Sequence, residues 1–306
     1  MHRTLRAVAR RATAFVALVA LLGACLPGAE PPLAAPTFRL VPEGSGIVRL
    51  DVAAVGTPRA TVRLVVDVTN PNPFPVRLAS LEGELYLAGR GAGSIRFPSG
   101  VELAARGQSR LDAEVELTPS SILALEGVFV DAIAGRPSPY RLEAQVGIEV
   151  LGTVQRFPRA TVLTGELRSD LTLRSPRVEL DRAQSGVRSV AFDRVVVDLG
   201  LVLHNDGPVG LVVRAPDVRV ELGGRAVATL QVASLPVPAR SSAVSRHQLV
   251  LNPAALGAAV VAELTRLAAG ERVSLQLQLQ GAWELSVPGV ATSATPVATL
   301  LQGRLE

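Results

Sequence analysis

The chain has 306 residues, 48% hydrophobic and 19% charged, which describes a globular protein long enough for two ordinary cores. Its formal charge of +4 traces to Arg3, Arg6, Arg10 and Arg11, because removing these four from the 31 basic residues leaves 27 against 27 acids. With no lysine and no basic field left, nucleic-acid binding loses its electrostatic basis and is excluded as a partner class.

Residues 1–24 read as an export signal. The four arginines precede an apolar run from Ala14 to Leu22 that is too short to span a bilayer stably. The run ends in Leu22-Gly23-Ala24-Cys25, which resembles a bacterial lipobox whose cysteine is acylated and becomes the mature N-terminus. A plain signal peptide with a chance cysteine is the alternative. Cys25 is the chain's only cysteine, so no structural disulfide explains it, and a lipid anchor to the bacterial cell envelope is expected, with the membrane left open. Residues 25–36, rich in proline and alanine, then form an extended tether.

Beyond the tether the composition favours strands. Only 3% of residues are aromatic, while valine, leucine and alanine abound among 27 glycines and 22 prolines. Strands are expected at Phe38–Val41, Ile47–Val55, Val62–Thr69 and Leu78–Ala88. The Val62–Thr69 alternation stops at Asn70-Pro71-Asn72-Pro73-Phe74-Pro75, where three prolines make a rigid, polar strand exit. Ser109–Leu117 alternates apolar with charged residues, as a half-buried antiparallel strand does. Thr118-Pro119 then opens a helix whose stripe is Ile122, Leu125, Phe129 and Ile133, stopped at Gly135. A strand follows from Tyr140 to Val150.

The same order returns about 135 residues later. Ser45-Gly46-Ile47 corresponds to Ser185-Gly186-Val187, and Leu87-Ala88-Gly89-Arg90 to Leu222-Gly223-Gly224-Arg225. Leu117-Thr118-Pro119 corresponds to Leu251-Asn252-Pro253, followed by the stripe Leu256, Val260, Leu264 and Leu267 and the stop at Gly270. Val273–Gln280 matches the Tyr140 strand, and Ala298–Leu305 matches Ala160–Leu167. The offsets drift between 134 and 140, as short loop insertions between two copies would produce. The expected domains are therefore 37–168 and 176–306, joined by 169–175.

The run from Val68 to Val76 with its Asn70-Pro71-Asn72 core, followed by Glu84–Gly89, resembles the WHy domain (water stress and hypersensitive response) of type 2 late embryogenesis abundant proteins. The resemblance covers nearly all of both units; in the second, Asn205 and a displaced Pro208 remain of the signature. It implies two tandem fibronectin type III-like β-sandwiches, each with about seven strands and one added helix, and no enzyme activity. It also implies association with desiccation, cold and other stress, and protection of weakly and non-specifically bound client proteins.

The residues themselves weigh the same way. Asn70, Pro71, Asn72 and Pro73 could form a recognition loop, but asparagine and proline at a strand exit have a local hydrogen-bonding role wherever they occur. Gly89-Arg90-Gly91-Ala92-Gly93 lies between strands and opens no helix, so a hairpin is expected in place of a phosphate cradle. His204 and His247 stand in no catalytic spacing, and no cluster suggests zinc or calcium, so neither catalytic residues, metal nor cofactor is expected. Trp283, the lone tryptophan, reads as a core or junction residue. A scaffold or ligand-binding role for tandem sandwiches remains as the competing function, because fold alone does not set function. The oligomeric state stays open.

Overall fold

In the computed structural model, residues 33–52, 57–271 and 273–305 are described. The described residues from Pro36 onward form one compact unit. This unit is mainly β, in antiparallel sheets consistent with β-sandwich domains.

The strand reading is followed closely in the first half, with residues 53–55 of the expected Ile47–Val55 strand lying outside the described residues. β1 (Thr37–Leu40), β2 (Gly46–Asp51), β3 (Arg59–Thr69) and β7 (Gln108–Glu116) form one sheet, with β3 paired to β1 and β2 on one side and β7 on the other. The opposite sheet holds β4 (Val76–Leu87), β5 (Arg90–Arg96), β6 (Val101–Leu103), β8 (Ser138–Val150), β9 (Thr153–Arg156) and β10 (Ala160–Leu167). Val62, Leu64, Val66 and Val68 of β3 are buried, as alternation requires of a central strand. Each such side chain contributes about 1.5–3 kcal/mol.

The second half repeats the scheme. β11 (Arg177–Val190), β12 (Val195–Asn205) and β15 (Ser241–Leu251) form one sheet. β13 (Leu211–Leu222), β14 (Arg225–Val237), β16 (Leu275–Gly281), β17 (Glu284–Val287), β18 (Ala291–Ala294) and β19 (Ala298–Leu305) form the other. β12 occupies the place of β3, with Val195, Val197, Leu199, Leu201 and Leu203 buried. Trp283 is buried where β16 and β17 meet. Short pieces such as β6, β9 and β18 raise the strand count above seven per half.

Details repeat at single-residue level. Ser45 Oγ accepts from Val65 N at 2.8 Å across the break between β1 and β2; Ser185 Oγ accepts from Gly200 N at 2.9 Å across the bulge in β11. Ala88 and Gly89 turn the β4–β5 hairpin at φ +47° and +77°, and Gly223 and Gly224 turn β13–β14 at +56° and +78°. This pair of positive angles is the type I′ hairpin turn.

Each helical segment is divided where one helix was expected. α1 (Pro119–Ala124) and α2 (Glu126–Ile133) meet at Leu125, whose N–H donates to the carbonyls of both Ser121 and Ile122 and tightens the turn. α3 (Pro253–Leu256) and α4 (Ala258–Ala268) meet at Gly257, φ +81°. The expected caps are in place: Thr118 Oγ1 accepts from Ser121 N at 3.2 Å and Asn252 Oδ1 from Ala254 N at 2.9 Å. Ile122, Leu125 and Phe129 face the core, and so do Leu256, Val260 and Leu264.

The two halves touch through the free edge of β2. Leu50 N donates to Pro208 O at 2.9 Å and Gly210 N donates to Leu50 O at 2.7 Å, a single parallel bridge centred on Val209. Ile47 N donates to Ser169 Oγ at 2.8 Å, and Arg240 Nη2 to Val48 O at 3.3 Å. Leu171 of the connecting segment is itself buried.

Candidate functional site

The strand exits at Asn70 and Asn205 are the strongest candidates, and both are built inward. Asn70 is fully buried at the end of β3, where its Nδ2 donates to Phe74 O at 2.9 Å and Ala104 O at 3.0 Å, with Leu103 O at 3.3 Å. Its Oδ1 accepts from Asn72 N at 3.0 Å and Asn72 Nδ2 at 2.9 Å. Three carbonyls on one side and two N–H donors on the other leave one orientation for the amide. The backbone closes the cap, with Asn70 N on Gly107 O at 2.9 Å and Arg106 N on Asn72 O at 3.0 Å.

Asn205 repeats all of these side-chain bonds except the one from the Asn72 side chain, which Gly207 cannot supply. Its Nδ2 donates to Val209 O at 2.7 Å and Pro238 O at 3.1 Å, with Val237 O at 3.3 Å, and its Oδ1 accepts from Gly207 N at 3.0 Å. Arg240 N donates to Gly207 O at 3.1 Å, in the role of Arg106. Because both amides reach the carbonyl four residues on and take the N–H two residues on, Pro208 stands at the place of Pro73 and is not displaced. Gly207 stands for Asn72, Asp206 for Pro71 and Gly210 for Pro75.

The partner turn of each cap escaped the sequence reading. Arg106 and Arg240 have φ of +52° and +53°, a left-handed conformation that costs non-glycine residues about 1 kcal/mol. The signal was present in the parallel tripeptides Ala104-Ala105-Arg106 and Pro238-Ala239-Arg240, the first one residue before β7 and the second directly before β15.

Several charged groups on the strands leading to these exits are paired. Asp67, buried in β3, lies 3.0 Å from Arg110 Nε and 3.2 Å from Arg39 Nη2, and the Arg110 hydrogen bond with Arg39 behind it holds its carboxyl below the usual carboxylate range. Asp112 is likewise lowered by its hydrogen bonds to Arg63. His204 sits on β12 with Nε2 3.2 Å from Glu179 Oε2. His247 Nε2 lies 2.7 Å from Ser245 Oγ, and burial pushes its imidazole down, toward the neutral form. Among the described residues no carboxylate shares a hydrogen bond with His247 to complete a relay behind that pair.

The Gly89–Gly93 stretch is the β4–β5 hairpin and its descending strand. A shallow depression of about 590 Å³ on the outer face of β4 is lined by Glu82, Glu84, Arg96, Gln145 and Arg159. Its carboxylates are engaged: Arg96 Nε is 3.0 Å from Glu82 and Ser94 Oγ donates to Glu84 at 2.9 Å. Among the described residues no three His, Cys, Asp or Glu side chains gather as a metal site, and no helix is long and apolar enough to cross a membrane. Leu22, Gly23, Ala24 and Cys25 lie outside the described residues.

No curated protein matches the chain. Among solved structures it is similar to a protein from Archaeoglobus fulgidus, at 13% identity and TM-score 0.27, over 45% of this chain and 97% of that one. It is also similar to the Salmonella enterica SafA pilin in complex with the SafB chaperone, at 12% identity and TM-score 0.23, over 88% and 97%. Red sea bream transglutaminase gives 12% identity and TM-score 0.26 over 87% of this chain and 31% of that one. Residues 65–158, from the middle of β3 through the Asn70 cap and both first-half helices to just past β9, match the family model of the late embryogenesis abundant proteins, which supports the type 2 family for this stretch.

Proposed function

We propose that this chain is a non-enzymatic lipoprotein of the WHy-domain, late embryogenesis abundant type 2 kind. It is anchored through Cys25 to the bacterial cell envelope and protects envelope proteins or the membrane surface when water is withdrawn. The observation that carries the reading is the family match over residues 65–158, because that stretch contains the whole Asn70 cap. The second half acts as a further copy of the same domain, a reading supported by the recurrence of the cap at Asn205 and of the serine bridge at Ser185. A protective role asks for a stable, water-facing surface and no reaction centre, and paired charges over a sealed exit suit it. The test dries a labile enzyme such as lactate dehydrogenase with the purified mature protein or with an equal mass of albumin. Greater recovered activity with the protein is expected, and equal recovery would remove the protective role.

A further inference from the structure

We propose that the Asn70 end of the first half is a membrane-contacting tip that rests on the headgroup layer of the bilayer. The inference rests on the anchoring reading above and adds to it a defined face and orientation. Three loops meet at this end: Pro71–Pro75, Ala104–Gly107 and the β8–β9 turn at Leu151-Gly152. Arg77 pairs with Glu149 and Val76 with Leu103, so the turn and the two loops are neighbours, and Pro75, Ala104 and Leu151 line one depression. The chain arrives at the same end, because Thr37 opens β1 opposite Thr69. Cys25 and Thr37 are twelve chain positions apart, a reach of about 40 Å when fully extended.

The surface has the chemistry of an interfacial contact. Leu151 is 100% exposed and Val154 47%, and Pro71, Pro73 and Pro75 are exposed around a half-buried Phe74. Placing backbone against lipid is costly when its polar groups are unpaired. Here the cost is largely met in advance, because the three prolines carry no N–H and Asn70 occupies the carbonyls of Phe74, Leu103 and Ala104. The Asn72 and Gly107 carbonyls are taken by Arg106 N and Asn70 N. The charges around the tip nearly balance, Arg39, Arg77, Arg106 and Arg110 against Asp67, Glu102 and Glu149, so the contact is apolar and does not depend on anionic lipid.

The test uses the full mature lipoprotein in phosphatidylcholine vesicles, labelled with a polarity-sensitive thiol dye at Leu151→Cys or, as a control, at Phe192→Cys. Phe192 is 103% exposed in the β11–β12 turn, at the end of the second half remote from its junction with the first. Anchoring is read separately: in acylated wild type the Cys25 sulfur is a thioether and takes no dye. About twofold or greater brightening at 151 on reconstitution, none at 192 and no loss in 0.5 M salt (roughly a 4 Å screening length) are expected. Acylated protein whose 151 dye stays as water-exposed as the 192 dye overturns the tip while leaving the anchor. Dye uptake by Cys25 in wild type removes the anchor, and the tip's address with it.

Discussion

The two asparagine ends share one internal design and opposite outward faces. At Asn205 the exit reads Asp206-Gly207-Pro208-Val209-Gly210, and its last three residues bind the edge of β2 through Gly210 N and Pro208 O. At Asn70 the matching residues are Pro71, Asn72, Pro73, Phe74 and Pro75. Pro75 has no N–H to offer where Gly210 donates one. A folded edge that accepts a neighbour and one that refuses it thus differ by a glycine against a proline over the same buried amide. Prolines on exposed strand ends blunt unwanted pairing in this way.

The largest effect is expected from deleting an amide. Asn70→Ala leaves the Phe74 and Ala104 carbonyls and the Asn72 N–H buried without partners and is expected to cost about 3 kcal/mol. Asn205→Ala removes the equivalent bonds and also loosens the loop that carries Pro208 and Gly210 to Leu50, so it is expected to cost more. Urea unfolding of the two variants measures the difference; equal losses would mean the junction depends on nothing in the second cap.

Next comes the junction. A Cβ on Gly210 would lie 2.1 Å from Asp51 Oδ1 and 3.3 Å from the Asp51 Cα, so Gly210→Ala displaces the buried Asp51 carboxylate and crowds the backbone behind it, at a cost of about 1–3 kcal/mol. Calorimetry is expected to show the halves melting separately in this variant and together in wild type. Pro75→Gly, the mirror change at the free end, is expected to leave the melting profile nearly unchanged.

Much of this architecture was legible in the residues, and the reason lies in period and punctuation. Alternation through Val62–Val68 and Leu111–Leu117 marks strands because one face is buried, and Thr118-Pro119 and Asn252-Pro253 mark helix starts because cap and proline act locally. The hairpin at Ala88-Gly89 was visible through its repeat at Gly223-Gly224. What was hidden acts through space. Nothing local to Asp51 or Gly210 announces that they meet, and nothing in Leu125 announces the break that Gly257 makes plain in the second half. The left-handed Arg106 and Arg240 were missed because arginine carries no turn signal; only comparing the two halves would have exposed them.

A smaller contrast is electrostatic. Asp67 lies under Arg110 and Arg39, whereas the corresponding residue of β12 is Val202. A carboxyl lowered on folding stabilises above its unfolded value of about 3.9, and that stabilisation is lost as pH falls through the folded value. The first half is therefore expected to lose stability below about pH 4 more steeply than the second. The urea midpoint followed from pH 7 to pH 3 should fall less in Asp67→Asn than in wild type, although the variant starts lower. Parallel curves would show that the arginines contribute nothing to this dependence.

The smallest effect separates the two hairpins. Both turns donate the same backbone bond to a neighbouring strand, Ala88 N to Pro139 O on β8 at 2.8 Å and Gly223 N to Gln276 O on β16 at 2.9 Å, and both demand positive φ at the first turn position. Alanine holds that conformation under strain and glycine does not. Ala88→Gly is therefore expected to stabilise by about 0.5 kcal/mol, the relieved strain being partly offset by the extra freedom of glycine in the unfolded chain. Gly223→Ala is expected to destabilise by about 1 kcal/mol or more, because its Cβ would also press to 3.2 Å from Val260 Cγ2 on α4. The asymmetry is the informative quantity: if the two swaps were equal and opposite, turn conformation alone would account for both, and the helix would exert no constraint on its hairpin.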